Sequence, residues 1–209
     1  MFKTEQEDFW ATDFGDAYVN RSSGPELIAS NVCLFSKALS NLGPIGSVIE
    51  LGSNIGMNLR ALRHLYPNIQ LNAVEINQKA VEKLREIPDI QVFHDSILNF
   101  EAKSTSDLAL IKGVLIHINP EQLAKVYELL YQASHRWILL VEYYNPTPVT
   151  VNYRGHDNRL FKRDFAGEML DRYPDLALRD YGFIYHRAQP LGRDDLNWFL
   201  LEKSAVKVG

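Results

Sequence analysis

Apolar residues along the chain recur with two spacings, one typical of amphipathic helices and one typical of short buried strands. A first helix is predicted over 25–43, because proline suits the first helical position and glycine a helix stop. The same spacing predicts further helices at 58–66, after Asn77, after Asn119-Pro120 and at 164–173. Apolar, β-branched runs predict strands at 47–51, 71–76, 90–93, 107–111 and 137–142. Helices and strands that alternate in this way are typical of a doubly wound, mostly parallel α/β sheet.

The end of the chain departs from this alternation. Residues 143–163 are rich in Tyr, Asn, Pro and Arg and show neither a helical nor a strand period, so we expect a long functional loop there. Two last strands are predicted near 178–186 and 197–202, with a short polar connection that favours an antiparallel closure of the sheet. The sequence thus predicts seven strands, the last of them antiparallel.

The first 24 residues are acidic and aromatic and precede the alternating pattern. Trp10, Phe14 and Tyr18 are spaced four apart, which places their rings on one face of a helix or turn, with Arg21 near its end. We expect a single domain over 1–209, in which 1–24 forms a lid and 25–209 the core. Packing of the same rings into the core is the alternative.

Composition narrows the function classes. The 209 residues carry a net charge of −4 and contain no basic run, which argues against nucleic acid as a partner. No apolar run approaches the roughly 18 residues of a membrane span, and Cys33 has no disulfide partner, so we expect a cytoplasmic protein. The six histidines form no metal-ligand spacing, and no metal is expected.

The segment from Glu50 to Gly56 joins a predicted strand to a predicted helix, the place where open parallel sheets bind ligands. A dinucleotide site needs a second glycine where this chain has Ser53-Asn54, and Glu50 would repel a pyrophosphate. Glu50 would instead attract a cofactor with an amine and a sulfonium. Glu75, 23 residues after Gly52, ends the second strand, where a carboxylate accepts ribose hydroxyls.

This arrangement resembles class I S-adenosylmethionine-dependent methyltransferases over residues from about 45 to 202. The turn matches the first motif of that family, Glu75-Ile76 its acidic second motif, and Asp95-Ser96 the position that binds the adenine amino group. Lys112-Gly113 matches the motif after the fourth strand. The resemblance, with the lid, implies that the cofactor is held by Glu50, Gly52, Ser53, Asn54, Gly56, Glu75, Ile76, Asp95, Ser96, Lys112, Gly113, Tyr18 and Arg21.

A narrower resemblance rests on FWATDFGDAY near the start and YNPTPV-x-x-x-YRGH in the long loop. Both are similar to methyltransferases associated with pseudaminic acid biosynthesis. This resemblance implies a small, sugar-like acceptor: a sugar, a nucleotide-sugar or a nonulosonic acid precursor.

Methyl transfer to a sugar hydroxyl needs a group that takes the proton. The candidate bases are His117 just after the fourth strand, Glu142 at the end of the fifth and His156 in the long loop, all expected at the carboxyl edge of the sheet. The acceptor pocket is expected to be lined by Tyr143, Tyr144, Tyr153, Arg154 and Arg159, whose arginines suit a carboxylate or phosphate. Two alternatives stay open: a binding protein without turnover, and N-methylation of protein or nucleic acid, which Asn145-Pro146-Thr147-Pro148 faintly suggests. The acceptor atom and the oligomeric state are not predicted.

Overall fold

A seven-stranded sheet, with helices on both faces, forms the centre of the fold. The computed structural model describes residues 2–19, 21, 23–188 and 194–204, so the predicted connection between the last two strands lies partly outside the described residues. The strands are β1 Ser47–Leu51, β2 Gln70–Glu75, β3 Ile90–His94, β4 Ser106–Lys112, β5 Ser134–Glu142, β6 Val149–Tyr153, β7 His156–Lys162, β8 Leu176–Ile184 and β9 Leu196–Lys203. The helices are α1 Glu5–Ala11, α2 Asp13–Val19, α3 Pro25–Ala38, α4 Met57–Leu65, α5 Gln78–Leu84, α6 Leu123–Ala133 and α7 Phe165–Arg172.

The strand order in the main sheet is β3-β2-β1-β4-β5-β9-β8. Strands β1 to β5 pair in parallel, and β9 runs antiparallel between β5 and β8. The seven-stranded sheet with an antiparallel last strand is therefore confirmed. Because parallel strands end at one edge, β1, β2, β3 and β4 bring their following loops to the same side of the molecule.

Burial on both faces explains why the central strands are almost wholly apolar. On one face Leu51 and Ile111 pack with α6 and α7, and on the other Val48 and Leu108 pack with α3 and α4. This two-sided core fixes the positions of the strand ends that carry the site. No helix in the described part of the chain combines the length and the apolar composition needed to cross a membrane.

Two predicted elements differ from the structure. The first helix ends at Ala38 and not at Gly43. The stretch 143–163 is not an irregular loop, because β6 and β7 form an antiparallel hairpin within it. Its first strand does alternate, as Val149-Thr150-Val151-Asn152-Tyr153, but this run is short, and most side chains of the hairpin are exposed. Arg154 and Gly155 form its turn, both with positive φ, as two-residue hairpin turns require.

The N-terminal segment forms two short helices, α1 and α2, in place of one continuous face. A capping box starts α1: the Thr4 hydroxyl accepts the Glu7 N–H, and the Glu7 carboxylate accepts the Thr4 N–H. Asp16 of α2 pairs with Lys79 at 2.6 Å and accepts a hydrogen bond from Asn77 at 2.8 Å. The two helices are thereby held against the loop that follows β2.

Candidate active site

A cavity of about 610 Å³ lies at the carboxyl edge of the sheet, between the strand ends and the N-terminal segment. Its size falls within the usual range for small-molecule sites. Most of the residues that the sequence assigned to cofactor or acceptor contribute to its wall. These are Gly52, Ser53, Asn54, Glu75, Ile76, Asp95, Ser96, Lys112, Gly113, His117, Tyr18, Arg21, Tyr143, Tyr153 and Arg154.

The turn after β1 needs glycine at two positions. Gly52 has φ +75°, and a Cβ there would lie 2.7 Å from the Val114 side chain. Gly56 has φ +79° at the start of α4, and a Cβ would lie 2.5 Å from Ile87. Gly56 therefore lets α4 approach the end of α5 and does not itself line the cavity, whereas Gly52 does.

Glu75 is the carboxylate that the structure places in the cavity wall at the end of β2. It is buried, with one oxygen 2.7 Å from the Asn54 N–H and the other 2.8 Å from the Asn77 N–H. Burial raises the pKa of this carboxyl group, and the backbone donors oppose that effect. Each oxygen keeps a second lone pair, so the group can still accept hydroxyl hydrogens from a ligand.

Glu50, expected among the cofactor-binding residues, lies behind the cavity wall and not in it. Its side chain is fully buried, and burial raises its pKa to about 8. One oxygen accepts a hydrogen bond of 2.6 Å from the Asn58 amide, which lines the cavity. Glu50 therefore orients Asn58. Lys112 borders the cavity nearby; burial lowers its pKa, and the acidic groups of Glu50, Asp194 and Glu142 oppose this shift.

The end of β3 is linked to the N-terminal segment. The Ser96 hydroxyl donates to the buried carboxylate of Glu7, and the Ser96 N–H donates to Asp95 at 2.7 Å. The Lys3 ammonium donates to the Leu98 carbonyl at 2.9 Å. Asp95 and Ser96 line the cavity, so α1 closes it on this side.

His117 is the one candidate base that lines the cavity. It ends a 3₁₀ turn, Leu115–His117, and is 7% exposed. Its Nδ1 lies 2.5 Å from the Arg159 carbonyl oxygen. Because a carbonyl only accepts, Nδ1 carries the hydrogen and the lone pair of the neutral ring is on Nε2. Burial lowers the pKa of His117 to about 4, so the ring is neutral at pH 7.

Glu142 ends β5 and lies outside the cavity wall. One oxygen accepts the N–H groups of Val114 and Leu115, both at 2.9 Å, and burial raises its pKa to about 7. The carboxyl group therefore caps the turn that carries His117. Its geometry fits a positioning role better than the expected role as a base.

Two aromatic rings pack beside His117. The rings of Trp10 and Tyr153 each lie 4.8 Å from the His117 ring, measured between centroids. Trp10 also contacts Tyr18, while Tyr143 and Arg154 border the same region. This half of the cavity combines flat apolar faces with phenol and guanidinium groups, which suits a polar molecule with a hydrocarbon ring or backbone.

Three other expected residues, and the Asn-Pro-Thr-Pro segment, lie outside the cavity. His156 is exposed and packs against Phe9 and Phe14. Tyr144 is also exposed, with its ring beside Phe199. Arg159 pairs with Glu5 at 3.1 Å, so only its backbone carbonyl serves the site. Asn145 bonds Thr147 in its own loop, and the Asn-Pro-Thr-Pro segment contributes no cavity residue.

Several cavity residues were not predicted, and most are buried polar groups. Gln6 Oε1, Trp10 Nε1, Asn31 Nδ2 and Asn58 Oδ1 are buried without a hydrogen-bond partner in the described structure. Asn31 had a sequence signal, because it lies four residues after Leu27 on an otherwise apolar helical stripe. Unpaired buried polar atoms that border one cavity indicate a polar ligand.

Several solved structures that share this fold are methyltransferases. One from Leishmania major is described as SAM-dependent and is 15% identical, covering 94% of this chain and 81% of that chain, with a TM-score of 0.72. The 1,6-didemethyltoxoflavin-N1-methyltransferase of Burkholderia thailandensis, with its substrate and S-adenosylhomocysteine bound, is 12% identical (96% and 87% covered, TM-score 0.69). Magnesium protoporphyrin IX methyltransferase from Synechocystis, with S-adenosylmethionine bound, is 12% identical (98% and 100% covered, TM-score 0.67).

At these identities the likeness establishes the fold, which is that of class I methyltransferases. No family model and no curated protein sequence matches the chain.

Proposed function

We propose that this protein is an S-adenosylmethionine-dependent methyltransferase that acts on a hydroxyl group of a small, acidic, sugar-like molecule. The observation that carries the proposal is that a single cavity joins two sets of groups. On one side are the glycine turn, Glu75 and Asp95, and on the other are His117 and its aromatic surround.

The residues on the cofactor side fit S-adenosylmethionine. Glu75 presents oriented carboxylate oxygens for ribose hydroxyls, and Asp95 lies beside it at the next strand end. The Asn31 amide nitrogen and the Asn58 amide oxygen are buried and lack partners. One donates and the other accepts, which matches the carboxylate and the ammonium group at the amino-acid end of the cofactor. S-adenosylmethionine, when bound, supplies a methyl group on a positively charged sulfur.

His117 would take the proton from the acceptor. Its Nε2 lone pair is available because Nδ1 donates to the Arg159 carbonyl. General bases of this kind typically contribute about 10² to 10⁴-fold to the rate. The N-terminal segment would act as a lid that excludes water from the reacting groups, since α1 and α2 border both halves of the cavity.

An acidic sugar fits the acceptor half. Trp10 and Tyr153 offer flat faces for the carbon skeleton. Tyr143 stays protonated, because burial and then the Asp194 carboxylate raise its pKa. Its phenol hydrogen is donated to Asp194, which leaves the phenol oxygen to accept a hydrogen bond from a hydroxyl. Arg154 borders the cavity and has no ion pair among the described residues, which leaves its guanidinium for a carboxylate or phosphate. A nonulosonic acid precursor, including that of pseudaminic acid, or a nucleotide-sugar carries these groups.

Calorimetry with S-adenosylhomocysteine and transfer of a labelled methyl group test the two parts separately. We expect micromolar or tighter binding that is lost in Glu75→Ala and retained in the exposed control Glu101→Ala. Methylation of nonulosonic acids or nucleotide-sugars should follow from a panel. Absence of binding would reject the cofactor. Binding without turnover across the panel would reject the acceptor class and favour a non-catalytic binding protein.

A further inference from the structure

Strand β7 contains an irregularity directly beside His117. Val151 pairs with Leu160, and Tyr153 pairs with His156. One residue of β6, Asn152, therefore lies opposite three residues of β7, 157–159. Asn158, in the middle of these three, has φ +55°. Non-glycine residues rarely adopt this left-handed conformation, and asparagine is among those that tolerate it best.

The bulge frees two consecutive carbonyl groups from the β6–β7 pairing. The Asn158 carbonyl accepts a hydrogen bond of 3.0 Å from the Gln6 amide of α1. The next carbonyl, that of Arg159, lies 2.5 Å from Nδ1 of His117. In a regular strand two successive carbonyls point in opposite directions, whereas a bulge next to a site can aim both inward.

The Asn158 side chain itself is exposed, and it makes no hydrogen bond within the described part of the chain. Asparagine is therefore needed at this position for the backbone conformation that it tolerates, and not for a side-chain contact. The adjacent side chain strengthens the link to α1, because Arg159 pairs with Glu5 and lies over the Phe9 ring at 5.2 Å.

We propose that Asn158 is a positioning residue. Its left-handed backbone conformation directs its own carbonyl to Gln6 of the lid and the Arg159 carbonyl to His117. The bulge thereby couples closure of α1 to the tautomer of His117 that leaves Nε2 free. This inference rests on the proposed function, in which His117 is the base.

The test compares Asn158→Gly, which accepts a positive φ, with Asn158→Val, which does not. We expect kcat of the valine variant to fall about 10- to 100-fold, with the affinity for S-adenosylhomocysteine changed less than about threefold. The glycine variant should stay within about threefold of wild type in kcat. Asp89→Val is the matched control, because Asp89 has φ +51° on an exposed turn away from the cavity; it should lose comparable stability and keep kcat.

A second readout does not depend on turnover. The ¹⁵N chemical shifts of the His117 ring should report hydrogen on Nδ1 in the wild type and the glycine variant, and a mixture of tautomers in the valine variant. An unchanged tautomer and unchanged kcat in the valine variant would overturn the proposal, as would a glycine variant as slow as valine. If no acceptor is methylated by the wild type, the proposed function fails while the ring shifts still decide the positioning role.

Discussion

His117 and Arg159 are joined by a hydrogen bond of 2.5 Å from a ring nitrogen to a backbone carbonyl. The partner accepts only, and burial keeps the ring neutral by lowering its pKa to about 4. These two facts assign the lone pair of the neutral ring to Nε2.

Replacement of His117 by glutamine is expected to lower kcat by about 10² to 10⁴-fold, because the acceptor proton then has no base. Binding of S-adenosylhomocysteine, measured by calorimetry, should change less than threefold, since the cofactor groups are untouched. The exposed His135→Gln on β5 is the control and should match wild type. A glutamine variant at position 117 with full kcat would show that proximity alone drives transfer.

Glu142 should make stability depend on pH. Its folded pKa of about 7 lies above the value of about 4.3 for an unfolded chain. The folded state therefore binds more protons between these values, and the stability that this confers is present below about pH 4.3 and is lost as the pH rises through about 7. Glu142→Gln keeps an oxygen for the Val114 and Leu115 N–H groups but cannot ionise.

Urea unfolding at pH 5 and pH 8 checks this effect. From pH 5 to pH 8, the unfolding free energy of the glutamine variant should rise by roughly 2 kcal/mol relative to that of wild type. Glu142→Ala should be less stable at both, because two backbone donors lose their acceptor. Parallel pH profiles for wild type and the glutamine variant would contradict the assignment.

Gly15 permits the close contact between α1 and α2. A Cβ at this position would lie 1.8 Å from the Trp10 carbonyl oxygen, which is backbone and cannot rotate away. Gly15→Ala should therefore displace the two helices and weaken S-adenosylhomocysteine binding about tenfold or more, measured by calorimetry. Gly43→Ala is the control, since a Cβ there meets nothing within 4 Å. Equal affinity in both variants would mean that the N-terminal segment does not enclose the cofactor.

The sequence predicted the sheet well because its strands are buried on both faces and carry continuous apolar runs between helical stripes. The glycine turn and Glu75 were also predictable, since their chemistry falls at strand ends that the topology brings to one edge. Gly52 and Glu75 both border the cavity, and their contact with a cofactor stays a prediction.

The half of the cavity that carries His117 and Tyr153 was harder to predict, for two physical reasons. The β6–β7 hairpin exposes most of its side chains, and only the five residues of β6 alternate between apolar and polar, which is a short signal. The sequence also does not show in which direction a side chain points. Glu142 and Glu50 lie at the ends of apolar strands, as catalytic acids often do, yet both point into the protein and accept hydrogen bonds from its own N–H groups. The bulge at Asn158 depends on one backbone angle, and such an angle produces no recognisable pattern of residues in the sequence.

Arg154 offers the sharpest test of the acceptor's charge. It lies in the turn of the β6–β7 hairpin with φ +52°, its guanidinium 5.6 Å from the Tyr153 ring centroid, and it borders the cavity. A charge-assisted hydrogen bond is worth about 1.5–3 kcal/mol, so Arg154→Gln should raise KM for an acidic acceptor roughly 10- to 100-fold. Affinity for S-adenosylhomocysteine should not change.

Two comparisons separate charge recognition from a general effect on the hairpin. The methyl ester of the same acceptor lacks the negative charge and should show similar KM values with wild type and the Arg154 variant. Arg85→Gln, at the exposed end of α5, should behave as wild type with both compounds. Rising salt should increase KM for the acid in the wild type, because an exposed guanidinium is screened. Equal losses for acid and ester would place Arg154 in the support of the hairpin and leave the acceptor's charge to another group.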